Sequence, residues 1–185
     1  MTISLDESAR LAGAHCWTER RLFEILGGWV ASTPEHEVKM MLDRHAQHHA
    51  WRAHQWWDRL PVLADTDRDA LVATPAPQVS AVLDLTRAAE GTHRRLAGAY
   101  RVALPRIYAA YRRNRDMAGP ASDAAVLRTL GIVMADLGSD WAEGELLLQA
   151  LLDSRAAVDQ AAEVVAGLEG LLVAQLVGGE SGQTD

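Results

Sequence analysis

Histidines are concentrated in one stretch of this chain, EVKMMLDRHAQHHAWRAHQWWDRL, where tryptophans lie among them. On a helical wheel His45 and His49 fall on the apolar side and His48 falls at its edge, whereas His36 and His54 point to solvent. Imidazole is the commonest protein ligand for metals, but it is also a hydrogen-bonding core residue. Because a buried imidazole needs a partner, the stretch predicts either a metal site or a set of buried hydrogen-bonded pairs.

Ionisable groups also fall on the apolar faces of other predicted helices. Glu19 lies in the middle of the first apolar stripe, where an unpaired charge is costly. Glu90 and His93 are three residues apart, a spacing that offers a carboxylate and an imidazole on one helix face. Asp140 and Glu143 lie midway along a later helix, with Asp140 nearer its apolar side. Each of these residues is predicted to be a metal ligand or half of a buried pair.

Loop lengths indicate which of these groups meet. A short link joins the first two predicted helices, so Glu19 and residues 45–49 should lie at similar height as antiparallel neighbours. The loop before the fourth helix is longer. Depending on where that loop is centred, the residue level with His93 is Asp140, Glu143 or Glu145.

The elements that position these groups are all predicted to be helices. Ala, Leu and Arg dominate, and apolar residues recur at helical spacing in segment after segment. The predicted helices run from Asp6 or Ser8 to Ala31, from Pro34 to Leu60, from Val79 to Asn114 with a kink at Pro105, from Ala124 to Leu152, and from Ser154 to Val177. Residues 61–78 form a long connection with room for one short helical turn near residues 68–72, and this connection either crosses the bundle or is a surface loop. We expect one domain over residues 1–178 and a disordered tail over 179–185.

Composition excludes several classes of function. The 185-residue chain has 18 Lys and Arg against 25 Asp and Glu, a formal net charge of −7, which argues against nucleic-acid binding. A single cysteine, Cys16, cannot form an internal disulfide, which favours a reducing cytoplasm. The sequence shows neither a signal peptide nor an apolar run of membrane-spanning length. A cytoplasmic protein without nucleic-acid or membrane partners is therefore the expectation.

Two features of the later helices have alternative interpretations. The fifth helix is rich in Ala and Leu and has no candidate ligand, so it either covers the bundle or forms a homodimer contact. Gly144 lies on the core side of the fourth helix. It either leaves room for a ligand or allows close packing of helices.

The inward polar groups resemble those of the ferritin-like superfamily of dimetal carboxylate proteins. In that family one Glu from each of two helices and a Glu-x-x-His pair from each of two others hold two iron or manganese ions. Glu90-x-x-His93 matches one such pair, and Glu19 matches the single Glu of the first helix. The second helix has His45-x-x-His48 and the fourth has Asp140-x-x-Glu143 instead of the second pair. The resemblance implies a four-helix bundle with an additional C-terminal helix, and these metal ligands: Glu19, His45, His48, His49, Glu90, His93, Asp140 and Glu143.

The resemblance also implies a function. Non-haem iron, as a di-iron centre or replaced by manganese, would activate O₂ as a co-substrate toward a small organic substrate. The first hypothesis is therefore a metal-dependent oxidase or oxygenase. The alternative is a metal-free helical binding or scaffold protein, in which Glu19 with His45 or His49, and Glu90 with His93, form buried hydrogen-bonded pairs.

Overall fold

Every element of the described chain is a helix. The structure, a computed structural model, describes the backbone of residues 3–62 and 67–178 and the side chains of these ranges up to residue 173, so the predicted tail lies outside the described residues. The elements are α1 (Leu5–Val30), α2 (His36–Trp57), α3 (Arg68–Leu71), α4 (Pro77–Ala88), α5 (Thr92–Leu96), a π-helical segment (Ala97–Ala103), α6 (Leu104–Met117), α7 (Ala124–Leu151) and α8 (Arg155–Gly178). Among the described residues no helix is long and apolar enough to cross a membrane. The all-α prediction is confirmed.

The chain forms two compact units, each described on its own below. Unit 1 contains the residues up to Pro75 together with Ile107–Asp140. Unit 2 contains Ala76–Arg106 and the residues from Trp141 onward. Both unit boundaries within the later part of the chain fall inside helices, α6 and α7.

A helical hairpin of α1 and α2 builds one side of unit 1. Ser4 caps α1 by accepting a hydrogen bond from the backbone N–H of Glu7, and Thr33 donates to the carbonyl of Trp29 where α1 ends. Contacts between the two helices pair early residues of α1 with late residues of α2. The Cys16 thiol, for example, lies 3.3 Å from the carbonyl oxygen of Ala53. The hairpin is therefore antiparallel, as its short connection predicted.

The third predicted helix, expected to be continuous from Val79 to Asn114, is broken. α4 ends at Ala88, and Gly91 adopts a φ of 85°, a left-handed conformation that glycine reaches without steric cost. The chain then resumes as α5 and widens into the π-helical segment. Pro105 lies two residues after the π-helical segment. It has no N–H to donate to the carbonyl of Arg101, and its ring crowds that carbonyl. The wider π-helical turn therefore lies where proline would disrupt a regular α-helix.

Gly144 serves packing in unit 2. A methyl group added at Gly144 would lie 2.2 Å from ring atoms of Tyr100, which is fully buried. The missing side chain therefore makes room for an aromatic ring of the protein itself. Nearby, Val82, Val102 and Leu168 form a buried cluster between α4, the π-helical segment and α8.

Candidate functional site

A fully buried arginine lies at the centre of the polar core of unit 1. The guanidinium of Arg52 donates from Nε to Glu19 Oε2 at 3.2 Å and from Nη1 to Asp140 Oδ2 at 2.8 Å, and it also donates to Asp136. Burial opposes its charge, but Glu19 and Asp140 outweigh burial and raise the pKa of Arg52 above its usual value. Arg52 is therefore a permanent cation that joins α1, α2 and α7.

Glu19 is fully buried and ionised. Oε1 accepts a hydrogen bond from the hydroxyl of Tyr111 at 2.5 Å, and Oε2 lies 2.5 Å from His49 Nδ1. Burial alone would raise the pKa of this carboxyl, but His49 and Arg52 outweigh it and lower the pKa to about 2. Both carboxylate oxygens are thus engaged by protein donors.

The hydrogen bonds of His49 fix its tautomer. Burial lowers the pKa of His49 despite the nearby Glu19, so the ring is neutral near pH 7. Because Glu19 is ionised, Nδ1 must carry the proton and donate it to Oε2; it therefore cannot also accept from Arg52 Nη2, which lies 3.0 Å away. The other nitrogen, Nε2, carries a lone pair and has no hydrogen-bond partner within the described part of the chain.

Two histidines of α2 lie close to the same carboxylate oxygen of Asp140. His48 Nδ1 lies 2.8 Å from Oδ1, and His45 Nε2 lies 3.4 Å from the same oxygen. The two rings are stacked, with centroids 5.9 Å apart. His45 is fully buried and His48 is half-buried. The predictions that His45 and His49 are buried, that His48 lies at the edge, and that His36 and His54 are exposed are all confirmed.

The rings of Trp56, Tyr111 and His15 pack together beside this network. Trp56 Nε1 donates to the Tyr111 hydroxyl at 2.9 Å, and His15 packs against both rings with centroids 4.6 and 4.7 Å away. Asn114 lies 3.1 Å from His15 Nε2 and donates its amide N–H to that nitrogen. Burial lowers the pKa of His15 to about 4, although the charge of Glu19 acts in the opposite direction.

The stability of the fold should depend on the protonation of His15. Its pKa of about 4 in the folded protein lies below the ordinary histidine value of 6.5, so the unfolded chain binds this proton more readily. Neutral His15 therefore contributes its full share to the free energy of unfolding above pH 6.5. This share is lost as the pH falls toward 4, and the loss is about 2 kcal/mol at pH 5. We expect urea unfolding at pH 7.5 and 5.0 to show this loss, and His15→Gln to reduce it. His54→Gln, an exposed control, should lose as much as wild type; an undiminished loss in His15→Gln would contradict the prediction.

The predicted ligands divide between the two units. Glu19, His45, His48, His49 and Asp140 meet within unit 1 around Arg52. The remaining three belong to unit 2, where Glu90 is exposed, His93 Nε2 lies 2.8 Å from Gln160 Oε1, and Glu143 is half-buried on α7.

These donors do not fit the dinuclear centre that the ferritin-like resemblance implies. The space between Glu19, Asp136 and Asp140 is already occupied by the guanidinium of Arg52, which contacts all three carboxylates in place of metal ions. Both oxygens of Glu19 are already engaged by hydrogen bonds, and the Glu90-x-x-His93 pair belongs to unit 2. The arrangement supports a structural charge network more directly than it supports redox chemistry.

The position of Arg52 on the buried face of α2 could have been predicted from its spacing, but a search for metal ligands alone does not consider arginine. Arg52 follows His49 by three residues and precedes Trp56 by four, so it lies on the same helical face. Asp136, four residues before Asp140, shares a face with it in the same way. The hydrogen bond from Tyr111 to Glu19 depends on tertiary packing, so no local pattern predicts it.

Comparison with protein-family models, with curated proteins and with solved structures finds no match for this chain.

Proposed function

We propose that this chain is a helical binding or scaffold protein whose polar core is metal-independent. The observation that carries the proposal is the position of Arg52, buried and in contact with the carboxylates of Glu19, Asp136 and Asp140. In a dimetal carboxylate bundle the ions neutralise such carboxylates. Here the side chain of Arg52 supplies that positive charge and fixes how α1, α2 and α7 pack.

The remaining hydrogen bonds support the same role. Trp56 donates to Tyr111, Tyr111 donates to Glu19, and His49 donates to Glu19, so a chain of polar contacts extends across the core. Networks of this kind give the core one specific packing when their members are satisfied. Enzymatic oxidation would instead require open coordination positions beside these carboxylates.

One observation favours a second candidate function, a protein that holds a single metal ion. Donor atoms of His48, Asp136 and Asp140 lie within 4.8 Å of one another. This group lies beside Arg52, on the more exposed side of the network: the side chains of His48 and Asp136 are 36% and 32% exposed. It does not involve Glu19 or His93.

Metal analysis combined with unfolding tests the proposal. The purified protein is stripped with EDTA, loaded with Fe(II) or Mn(II) under anaerobic conditions and desalted. Metal content is measured by mass spectrometry, and the unfolding midpoint is measured before and after loading. We expect neither metal retention nor a rise in the unfolding midpoint that depends on Glu19 and His93. Near-stoichiometric iron that raises the midpoint and disappears in both Glu19→Gln and His93→Gln would overturn the proposal in favour of the iron-dependent oxidase.

A further inference from the structure

We propose that His48, Asp136 and Asp140 form a mononuclear site for a divalent transition-metal ion of the zinc type, at the contact between α2 and α7. This inference rests on the proposed binding function and deepens it by naming a ligand class. The three donor atoms lie within 4.8 Å of one another, and His45 Nε2 lies 3.4 Å from Asp140 Oδ1, one of the oxygens of this group. The site lies beside Arg52 and uses neither Glu19 nor His49.

Helical spacing explains why these side chains converge. Asp136 and Asp140 are four residues apart and therefore lie one turn apart on the same face of α7. His45 and His48 are three residues apart on α2 and present their rings to that face. Zinc binds imidazole nitrogen and carboxylate oxygen at about 2.0–2.2 Å, so its ligand atoms lie about 3.5 Å from one another. Only small side-chain movements are needed to reach that geometry from the observed separations.

The two aspartates can contact Arg52 and an ion simultaneously. Arg52 Nη1 donates to Oδ2 of Asp136 and to Oδ2 of Asp140. Each carboxylate has a second oxygen, and in Asp140 this Oδ1 faces His48 at 2.8 Å. When an ion binds, the neutral ring of His48 exchanges its proton with solvent so that Nε2 carries it, and the Nδ1 lone pair and Oδ1 of Asp140 then both coordinate the metal.

Charge and access favour the same site. Three carboxylates, Glu19, Asp136 and Asp140, surround the single guanidinium of Arg52, so negative charge is in excess when the imidazoles are neutral. An added cation reduces this excess. Because the side chains of His48 and Asp136 are about one-third exposed, an ion can enter without unfolding of the core.

The donor types select the ion. Imidazole together with carboxylate suits Zn²⁺, Co²⁺ and Mn²⁺, whereas Mg²⁺ and Ca²⁺ prefer all-oxygen sites. The charge of Arg52 lies close to the same carboxylates and weakens binding. We therefore expect exchangeable binding of Zn²⁺, stronger than binding of Mg²⁺.

Titration of Zn²⁺ into the EDTA-stripped protein tests this inference. Calorimetry at pH 7.5 should give one equivalent of bound Zn²⁺ for wild type, and His48→Ala and Asp136→Asn should each weaken binding on the order of 100-fold. Circular dichroism and thermal unfolding of both variants establish that they remain folded.

The matched control is His54→Ala, which should leave Zn²⁺ affinity unchanged. His54 is an exposed histidine of the same helix and lies 3.7 Å from Asp58. Co²⁺ provides a second readout, since its absorption spectrum should report nitrogen and oxygen ligands in wild type and lose this signature in His48→Ala.

Two outcomes overturn the inference: absence of Zn²⁺ binding to wild type, or Zn²⁺ binding that stays undiminished in folded His48→Ala and Asp136→Asn. Either one leaves the metal-independent core intact. Failure of the proposed function has a different signature, because metal retention would then depend on Glu19 and His93 and would be required for the thermal stability of the core. Glu19→Gln separates the two cases, since Zn²⁺ binding at His48 should persist in that variant.

Discussion

Arg52→Met should lower the free energy of unfolding by about 3–5 kcal/mol, because it removes one partner of a buried ion network. Methionine keeps an apolar stem but lacks the guanidinium group, so the cavity that it leaves adds to the loss. The rest of the loss comes from Glu19 and Asp140, which would remain buried without the guanidinium that accounts for much of their compensating charge. Urea unfolding monitored by circular dichroism at pH 7.5 measures this difference.

Two further variants make the Arg52 result specific. Arg52→Lys keeps the charge but not the planar fork that reaches three carboxylates, so its stability should lie between wild type and Arg52→Met. Arg10→Met removes an exposed arginine that pairs with Glu7 three residues away, and it should leave stability nearly unchanged. Equal stability of wild type and Arg52→Met would show that the network does not hold the core.

Gly144→Ala should lower the free energy of unfolding by about 3 kcal/mol through overpacking. The added methyl group would lie 2.2 Å from atoms of the Tyr100 ring, a distance at which either the ring or the helix must move. Tyr100 is fully buried, so the ring has no adjacent solvent to move into. The effect is measured from the midpoint of thermal or urea unfolding.

The same helix offers a control of opposite sign. A methyl group added at Gly138 would meet no atom within 4 Å. Gly138→Ala therefore changes only the helix propensity of this position, and it should raise the free energy of unfolding by about 0.5–1 kcal/mol. Double replacement Gly144→Ala with Tyr100→Leu should recover part of the lost stability by removing the clash. If Gly144→Ala is as stable as wild type, the ring does not pack on the helix as described.

Much of the secondary structure could be predicted because it depends on local signals. Apolar periodicity gave the extents of α1, α7 and α8 within a few residues, and it placed Glu19 and His49 in the core. Equal distance from a short turn also predicted that these two groups would lie level, and their 2.5 Å contact confirms it.

The parts that could not be predicted depend on distant partners or on single residues. A buried arginine is rare, and Arg52 is stable in the core only because carboxylates from two other helices surround it. Gly91 breaks the third predicted helix because it adopts a left-handed conformation, which the apolar pattern around it does not signal. His93 was matched to the fourth helix by loop length, but its described hydrogen bond is with Gln160 of α8.

The partners of Arg52 are separated from it by very different lengths of chain. Glu19 is 33 residues away, within the α1–α2 hairpin, whereas Asp136 and Asp140 are 84 and 88 residues away. Loop-closure entropy delays long-range contacts during folding, so the hairpin is expected to form its own cation–carboxylate pair before α7 arrives. The contacts with α7 then belong to the late stage of folding, and the strength of these two aspartate contacts controls mainly how slowly the native protein unfolds.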